Sequence, residues 1–242
     1  MIGTDEIISS WEFQERHKDY KPLKFDCGFT RLNDLVEGFE VGELIVLSGI
    51  TKHGKTTLFQ ALTESFERKE VYSLWFSYEV AARNLIKRFR NLPLFYLPET
   101  LKDKSLDYIK RKIKEAKDKY NIKMVFIDHL HYLLDLGRTK NPSLEIGTII
   151  RGLKRMAVEL EIVIFLAAHT TKLKTDKAPT AEDIRDSSFV SQESDCVMLL
   201  WRSKKDDSIS NLKVEFHRRI GLLGKIVKLK YVDGEFRELE DL

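Results

Sequence analysis

The chain has 242 residues, with 41 Lys or Arg against 38 Asp or Glu and a net charge of +3. That length allows one to two domains and a core that needs no disulfide or metal staple. Apolar residues at 43% and charged residues at 33% exclude global disorder, and a near-neutral total leaves any nucleic-acid signal to local clusters.

Residues 1–24 read as a polar arm, a short helix plus linker carrying Trp11, Phe13 and Tyr20 and ending near Pro22. Asp5, Glu6, Glu12 and Glu15 occupy it and no apolar stretch does, so it does not read as a signal or transit peptide. From Phe25 the pattern is continuous, and 25–242 is expected to form one domain. Leu44–Ser48 is a short apolar run, read as a strand, followed by a glycine-bounded loop. Leu58, Leu62 and Phe66 repeat at four-residue spacing, one face of a helix. Ser73–Ser77 is a second strand. Leu106, Ile109, Ile113, Ala116 and Tyr120 form one apolar helix stripe, and the charges around it read as a solvated face. Met124–Ile127 is a buried strand ending at Asp128. Ile146, Ile149, Leu153, Met156 and Leu160 mark another helix, and Ile162–Ala168 the next strand. That last run is the longest apolar stretch and is too short to span a membrane. Val197–Trp201, Leu212–Phe216 and Ile226–Tyr231 are late strands with few helices between them. Strand–helix alternation with a strand-rich end predicts a mostly parallel sheet flanked by helices, with antiparallel strands at the C-terminal edge. Cys27 and Cys196 fit neither a disulfide framework nor a zinc cluster and read as small buried residues. A reducing, cytoplasmic compartment is the expectation.

The strongest motif is Gly49-Ile50-Thr51-Lys52-His53-Gly54-Lys55-Thr56, which fits G-x-x-x-x-G-K-[ST] between a strand and a helix. Such a loop wraps phosphates in backbone N–H groups, Lys55 reaches the β- and γ-phosphates, and Thr56 holds Mg²⁺. Thr57 follows in the first helical turn, whose dipole adds to anion binding. ATP and Mg²⁺ are therefore the expected ligands. Asp128 closes its strand where a carboxylate can hold the Mg²⁺ shell; the alternative is an ordinary strand-end Asp. Glu79 ends LWFSYE, where a water-positioning base is needed or where a plain surface carboxylate would sit. His169 ends IFLAAH and either touches the γ-phosphate or caps the strand. Arg202 follows a late strand, as an edge ion pair or a nucleotide contact. Lys172, Lys174, Lys177 and Arg185 lie among Ser and Thr between His169 and Val197, a solvated loop or a track for a single nucleic-acid strand.

Five segments together resemble the hexameric replicative helicases of the RecA-like class: the DnaB family, the phage primase–helicases and Twinkle. They are FTRLNDLVEGFEVGELIVLSG, LWFSYEV, MVFIDHLHYL, PTAEDIRDSSFVSQESDCVMLLWR and FHRRIGLLG, in family order from Phe25 onward. The resemblance implies a RecA-like P-loop core and an ATP-dependent DNA helicase working as a homo-oligomer, a hexameric ring, on single-stranded DNA. It makes Glu79 the catalytic carboxylate, His169 a phosphate sensor, Arg202 a contact near the base, and Lys172, Lys174, Lys177 and Arg185 part of a channel loop. His217 stands where the family carries a Lys that senses the neighbour's γ-phosphate. The arginine finger is Arg219 by the DnaB-like spacing to Gly221, or Arg218 by the phage-like spacing, with Arg219 preferred. A primase or loader is expected as a separate protein, since 24 residues precede Phe25. A recombination or regulatory ATPase, or a non-motor ATP-gated DNA-binding module, are the alternatives.

Overall fold

The computed structural model describes residues 6–134, 141–170, 178–184 and 187–239. Helix α1 (Ser10–Arg16) starts where the Ser9 hydroxyl accepts from the Glu12 amide, and none of its residues is buried. Strands β1 (Lys24–Phe25) and β2 (Phe39–Glu40) pair as a small antiparallel ribbon around α2 (Thr30–Val36). Among the described residues the buried core begins at Phe25.

The main body then alternates as expected: β3 (Leu44–Gly49), α3 (Lys55–Glu67), β4 (Ser73–Ser77), α4 (Ala82–Ile86), α5 (Leu106–Tyr120), β5 (Met124–Asp128), α6 (Pro142–Glu159) and β6 (Val163–His169). After α7 (Ser187–Glu193) come β7 (Cys196–Arg202), β8 (Ile209–His217), β9 (Gly221–Val232) and β10 (Glu235–Glu238). One eight-stranded sheet runs β10-β9-β8-β7-β3-β6-β5-β4. Strands β7, β3, β6, β5 and β4 are mutually parallel, and β8, β9 and β10 add antiparallel ones beyond β7.

The parallel strands are buried on both faces, which is why they read as unbroken apolar runs. Period-two alternation sends Ile45 and Leu47 to one face and Leu44 and Val46 to the other. On the first face Phe59, Trp75, Phe126 and Phe165 form a continuous aromatic cluster, with Trp75–Phe126 and Phe126–Phe165 centroids 5.1 and 4.9 Å apart. The buried Trp75 ring N–H donates to the Thr63 hydroxyl at 3.0 Å. Helices α5 and α6 cover the other face. The α5 stripe buries Ile109, Ile113 and Ala116, while Tyr120 is exposed and stacks on Tyr96 at 4.0 Å. Cys27 and Cys196 are free and buried.

Strand β10 was not expected from the sequence. Asp233 and Gly234, both with positive φ, turn β9 back into it, and Asp-Gly between apolar residues is a hairpin signal. Its Glu238 carboxylate accepts from the Arg31 and Leu32 amides at 3.0–3.1 Å. Those are first-turn donors of α2, whose own N-cap residue, Phe29, makes no side-chain cap. Among the described residues no helix is long and apolar enough to cross a membrane.

Candidate functional site

Parallel pairing brings the carboxyl ends of five strands to one edge. Gly49 is level with His169 on β6 and Leu200 on β7, and Ser77 is level with Asp128. An open parallel sheet binds ligands at this edge. The amides of Tyr78 and Glu79 donate to the Asp128 carbonyl at 2.7 and 3.1 Å, so the end of β4 is pinned to that of β5.

The loop from Gly49 to Thr56 crosses this edge. A Cβ at Gly49 would lie 2.2 Å from the Leu200 carbonyl oxygen, so only glycine fits. Gly54 has φ +99°, and a Cβ there would meet the Phe236 ring at 2.9 Å. Helix α3 starts at Lys55 with no side-chain cap, leaving its first amides for an anion. Lys55 is buried, and its Nζ donates to the carbonyls of Gly49 and Ile50 at 2.7 and 3.2 Å. Burial lowers its pKa to about 8, against the opposing pull of Asp128 and Glu79.

The Thr56 hydroxyl donates to Asp128 Oδ2 at 2.8 Å. Asp128 is fully buried and its Oδ1 has no hydrogen-bond partner among the described residues. Burial lifts its pKa to about 6, with the Thr56 bond acting the other way. A hydroxyl beside a carboxylate with an unused buried oxygen is an oxygen-only donor set, which fits a hard divalent cation such as Mg²⁺.

A cleft of about 640 Å³ takes in Thr51, Lys52, His53, Gly54, Lys55, Thr56 and Thr57, faced by Glu79, Arg88, His169, Arg202 and Tyr231. Gly49, Ile50 and Asp128 lie behind this lining. Lys52 has φ +66°. The His53 ring accepts from the Arg202 amide at 3.0 Å, tying the loop to the end of β7. Burial, then the Arg202 and Lys55 charges, push the His53 pKa down. His169 Nδ1 is 3.4 Å from both Lys55 Nζ and Thr51 Oγ1. Burial, Lys55 and His131 depress the His169 pKa to about 4, so the ring is neutral at pH 7.

Sequence reasoning missed Arg88, Tyr231 and two further histidines. His129 is fully buried, with its ring centroid 3.6 Å from that of His169, and His131 lies 5.3 and 5.6 Å from the two. Burial drives the His129 pKa down to about 2. The available signal was the D-H-L-H spacing behind β5.

The paired arginines lie at the opposite, amino edge of the sheet, beside Glu43 and Asp195. β3 alone separates that edge from the cleft by roughly 20 Å. Arg219 was the preferred finger, but its guanidinium is engaged within its own chain. It donates to the Val36 and Gly38 carbonyls at 2.8 and 2.9 Å and pairs with Glu37, Glu40 and Glu43. Arg218 is 56% exposed on its side chain, although it donates to the Gln192 and Ser194 carbonyls. His217 cannot sense a neighbour's phosphate as its position suggested, because its side chain is wholly buried. Its Nε2 sits 3.4 Å from Glu43, yet burial and Arg219 hold its pKa near 4, so this is not an ion pair at neutral pH. Lys172, Lys174, Lys177 and Arg185 lie outside the described residues.

A family model described as the DnaB-like helicase C terminal domain matches residues 25–93 and 89–237. The replicative DNA helicase DnaB of Leifsonia xyli subsp. xyli is 25% identical over 235 residues, covering 83% of this chain and 50% of that protein. That of Mycoplasma pneumoniae is 28% identical over 222 residues, covering 75% and 47%. The chain thus spans about half the length of the curated relatives it matches. Among solved structures, a DnaB-like replicative helicase described with its interactions with primase superposes with TM-score 0.80 at 22% identity, over 98% of this chain and 69% of that one. A second solved structure, described as an ATPase domain, gives 0.79 at 21% identity, over 95% and 97%. At such identities the two structures bear on the fold alone, which is RecA-like.

Proposed function

The chain belongs to the DnaB-like helicase C-terminal domain family, and on that premise we propose that it is the ATP-hydrolysing motor of a replicative-type DNA helicase. The observation that carries this reading is the division of the catalytic set. Lys55, Thr56, Asp128, Glu79 and His169 converge at one edge of the sheet, while the arginines of the HRR segment stand at the other. An arginine roughly 20 Å from its own cleft cannot reach the nucleotide bound there, so a catalytic role for it would be toward a neighbouring subunit's cleft. That arrangement calls for a homo-oligomer, in this family a hexameric ring.

Each residue then has a role. The loop amides and Lys55 hold the β- and γ-phosphates of ATP. Mg²⁺ held by Thr56 and Asp128 would neutralise phosphate charge. Glu79 orients the attacking water and takes its proton as the new P–O bond forms and the bond to ADP breaks. Neutral His169 reads whether the γ-phosphate is present. Arg202 and the loop it anchors flank the nucleoside end. Arg218, the freer of the pair, reaches the neighbour's γ-phosphate, and Arg219 braces the segment that carries it.

Hydrolysis would move the loop bearing Lys172, Lys174, Lys177 and Arg185 along single-stranded DNA. The exposed helix α1 would dock on an adjacent subunit, residues 25–242 would act as one motor unit, and the assembly would work in the cytoplasm with a primase or loader. The test is ATP turnover with and without single-stranded DNA, unwinding of a forked duplex, and particle imaging with a non-hydrolysable ATP analogue. DNA-stimulated turnover, unwinding and closed rings are expected. Turnover with filaments and no unwinding would make it a recombination-type ATPase, and negligible turnover with DNA binding a non-motor module.

A further inference from the structure

Two donor sets lie at the carboxyl edge of the sheet, partly in the cleft wall and partly buried behind it, and they differ in chemistry. Thr56 and Asp128 offer only oxygen. Next to them, the carboxylate of Glu79 and one ring nitrogen each of His129 and His169 lie within 4.8 Å of one another. Imidazole favours borderline ions such as Zn²⁺, Co²⁺ or Ni²⁺ over Mg²⁺. Two imidazoles and a carboxylate leaving a fourth position open is a known three-ligand set for zinc.

His129 gives this cluster its second, independent mark. Its side chain is fully buried, yet neither ring nitrogen has a hydrogen-bond partner among the described residues. A buried imidazole normally satisfies at least one nitrogen, and the phosphate chemistry above does not use this one. The ring lies directly against His169, which is half-buried at the cleft wall, and Glu79 faces it from the exposed side. Small side-chain adjustments would bring the three donor atoms around one ion.

We propose that Glu79, His129 and His169 form a binding site for a zinc-type divalent ion, distinct from the oxygen-only Thr56–Asp128 pair. An ion there takes the Glu79 carboxylate and the His169 ring out of catalytic use. Turnover stops while the P-loop remains able to hold nucleotide. The inhibition rests on the roles given above to Glu79 and His169; the binding itself does not.

The test uses the untagged chain without nucleotide, with Co²⁺ as spectroscopic probe and Zn²⁺ in equilibrium dialysis, both in excess Mg²⁺. One ion per chain is expected, with visible ligand-field bands and no thiolate charge-transfer band, since both cysteines lie in the core elsewhere. His129→Phe and His169→Gln should each weaken Zn²⁺ binding by more than about tenfold, because even outer-shell changes around a metal cost that much. Circular dichroism checks the fold, and if His129→Phe does not fold, His169→Gln decides alone. Absence of stoichiometric binding in excess Mg²⁺, or unchanged binding in every folded variant, overturns the site. In parallel, Zn²⁺ should inhibit ATP turnover over the range where it binds, with a chelator restoring activity. Binding without any ATP turnover in metal-free buffer supplemented with Mg²⁺ would sink the helicase reading and leave the site standing. Turnover that persists at Zn²⁺ saturation would refute the inhibitory role.

Discussion

Lys55 is a cation held by two carbonyls and almost no water, so its partner is expected to be the ligand. Lys55→Ala should lower ATP turnover by about two orders of magnitude or more, since one placed charge on a phosphate is worth that much, with the circular dichroism spectrum unchanged. Glu79→Gln keeps the shape and removes the base, so nucleotide binding should persist while turnover falls about a hundredfold. Turnover within about threefold of the parent in either variant would remove that residue from the mechanism. His217 makes a different prediction, one of pH. Its folded pKa near 4 lies below the unfolded value of about 6.5, so its contribution to stability is complete above pH 6.5. Below that the unfolded chain takes up a proton that the folded chain refuses, and stability declines until about pH 4. Between pH 7 and 5 this amounts to about 2 kcal/mol. His217→Phe should therefore flatten the dependence of the urea midpoint on pH over that interval, leaving the slope due to His129 and His169. At this scale the sequence was most legible where a motif fixes the spacing, as for Lys55, Thr56 and Asp128. It was silent on His129 because its contact with His169 exists only through the β5–β6 register. It was equally silent on the surroundings of Arg219, whose acidic partners lie some 180 residues earlier in the chain.

Among elements, those carrying an unbroken apolar run or a repeated stripe were readable, and the seven-residue α1 was expected as a short helix in the arm, but several other short elements were not. A period needs several turns or alternations to register, and β1, β2, α2 and α4 have between two and seven residues. Their existence depends on contacts with distant segments. Helix α2 is the clearest case, since its missing cap arrives from β10 near the other end of the chain. Glu238→Ala should cost about 1–2 kcal/mol, the range for losing a helix cap with a charge at the dipole's positive end. Urea unfolding measures it, and a loss below about 0.3 kcal/mol would mean the carboxylate adds nothing beyond solvent. The exposed pairs of α5, such as Lys112–Glu115, invite no such prediction, since ion pairs in open water contribute little.

For the whole molecule, strand–helix alternation was enough to anticipate the sheet and its antiparallel extension, because fully buried parallel strands announce themselves as unbroken apolar runs. What single-chain periodicity could not supply is which edge faces another subunit. If the catalytic set is shared across an interface, Lys55→Ala and Arg218→Ala proteins, each nearly inactive, should regain partial turnover when mixed. Some interfaces then join an intact loop to an intact arginine. Size-exclusion analysis must first establish that the variants co-assemble, and no recovery after co-assembly would put the whole reaction within one subunit. Arg219→Ala serves as the contrast, since loss of the brace should lower stability as well as activity. The same geometry offers an optical readout. Trp11 on α1 is 82% exposed, Trp75 is sealed in the aromatic core, and Trp201 on β7 is half-buried. Trp11 and Trp75 therefore emit at opposite ends of the tryptophan range. If α1 beds onto a neighbour, Trp11 moves from water to protein and its emission shifts to the blue, while Trp75 holds still as an internal standard. Assembly of the ring would then be visible without a label, as a colour change that is lost in Trp11→Phe.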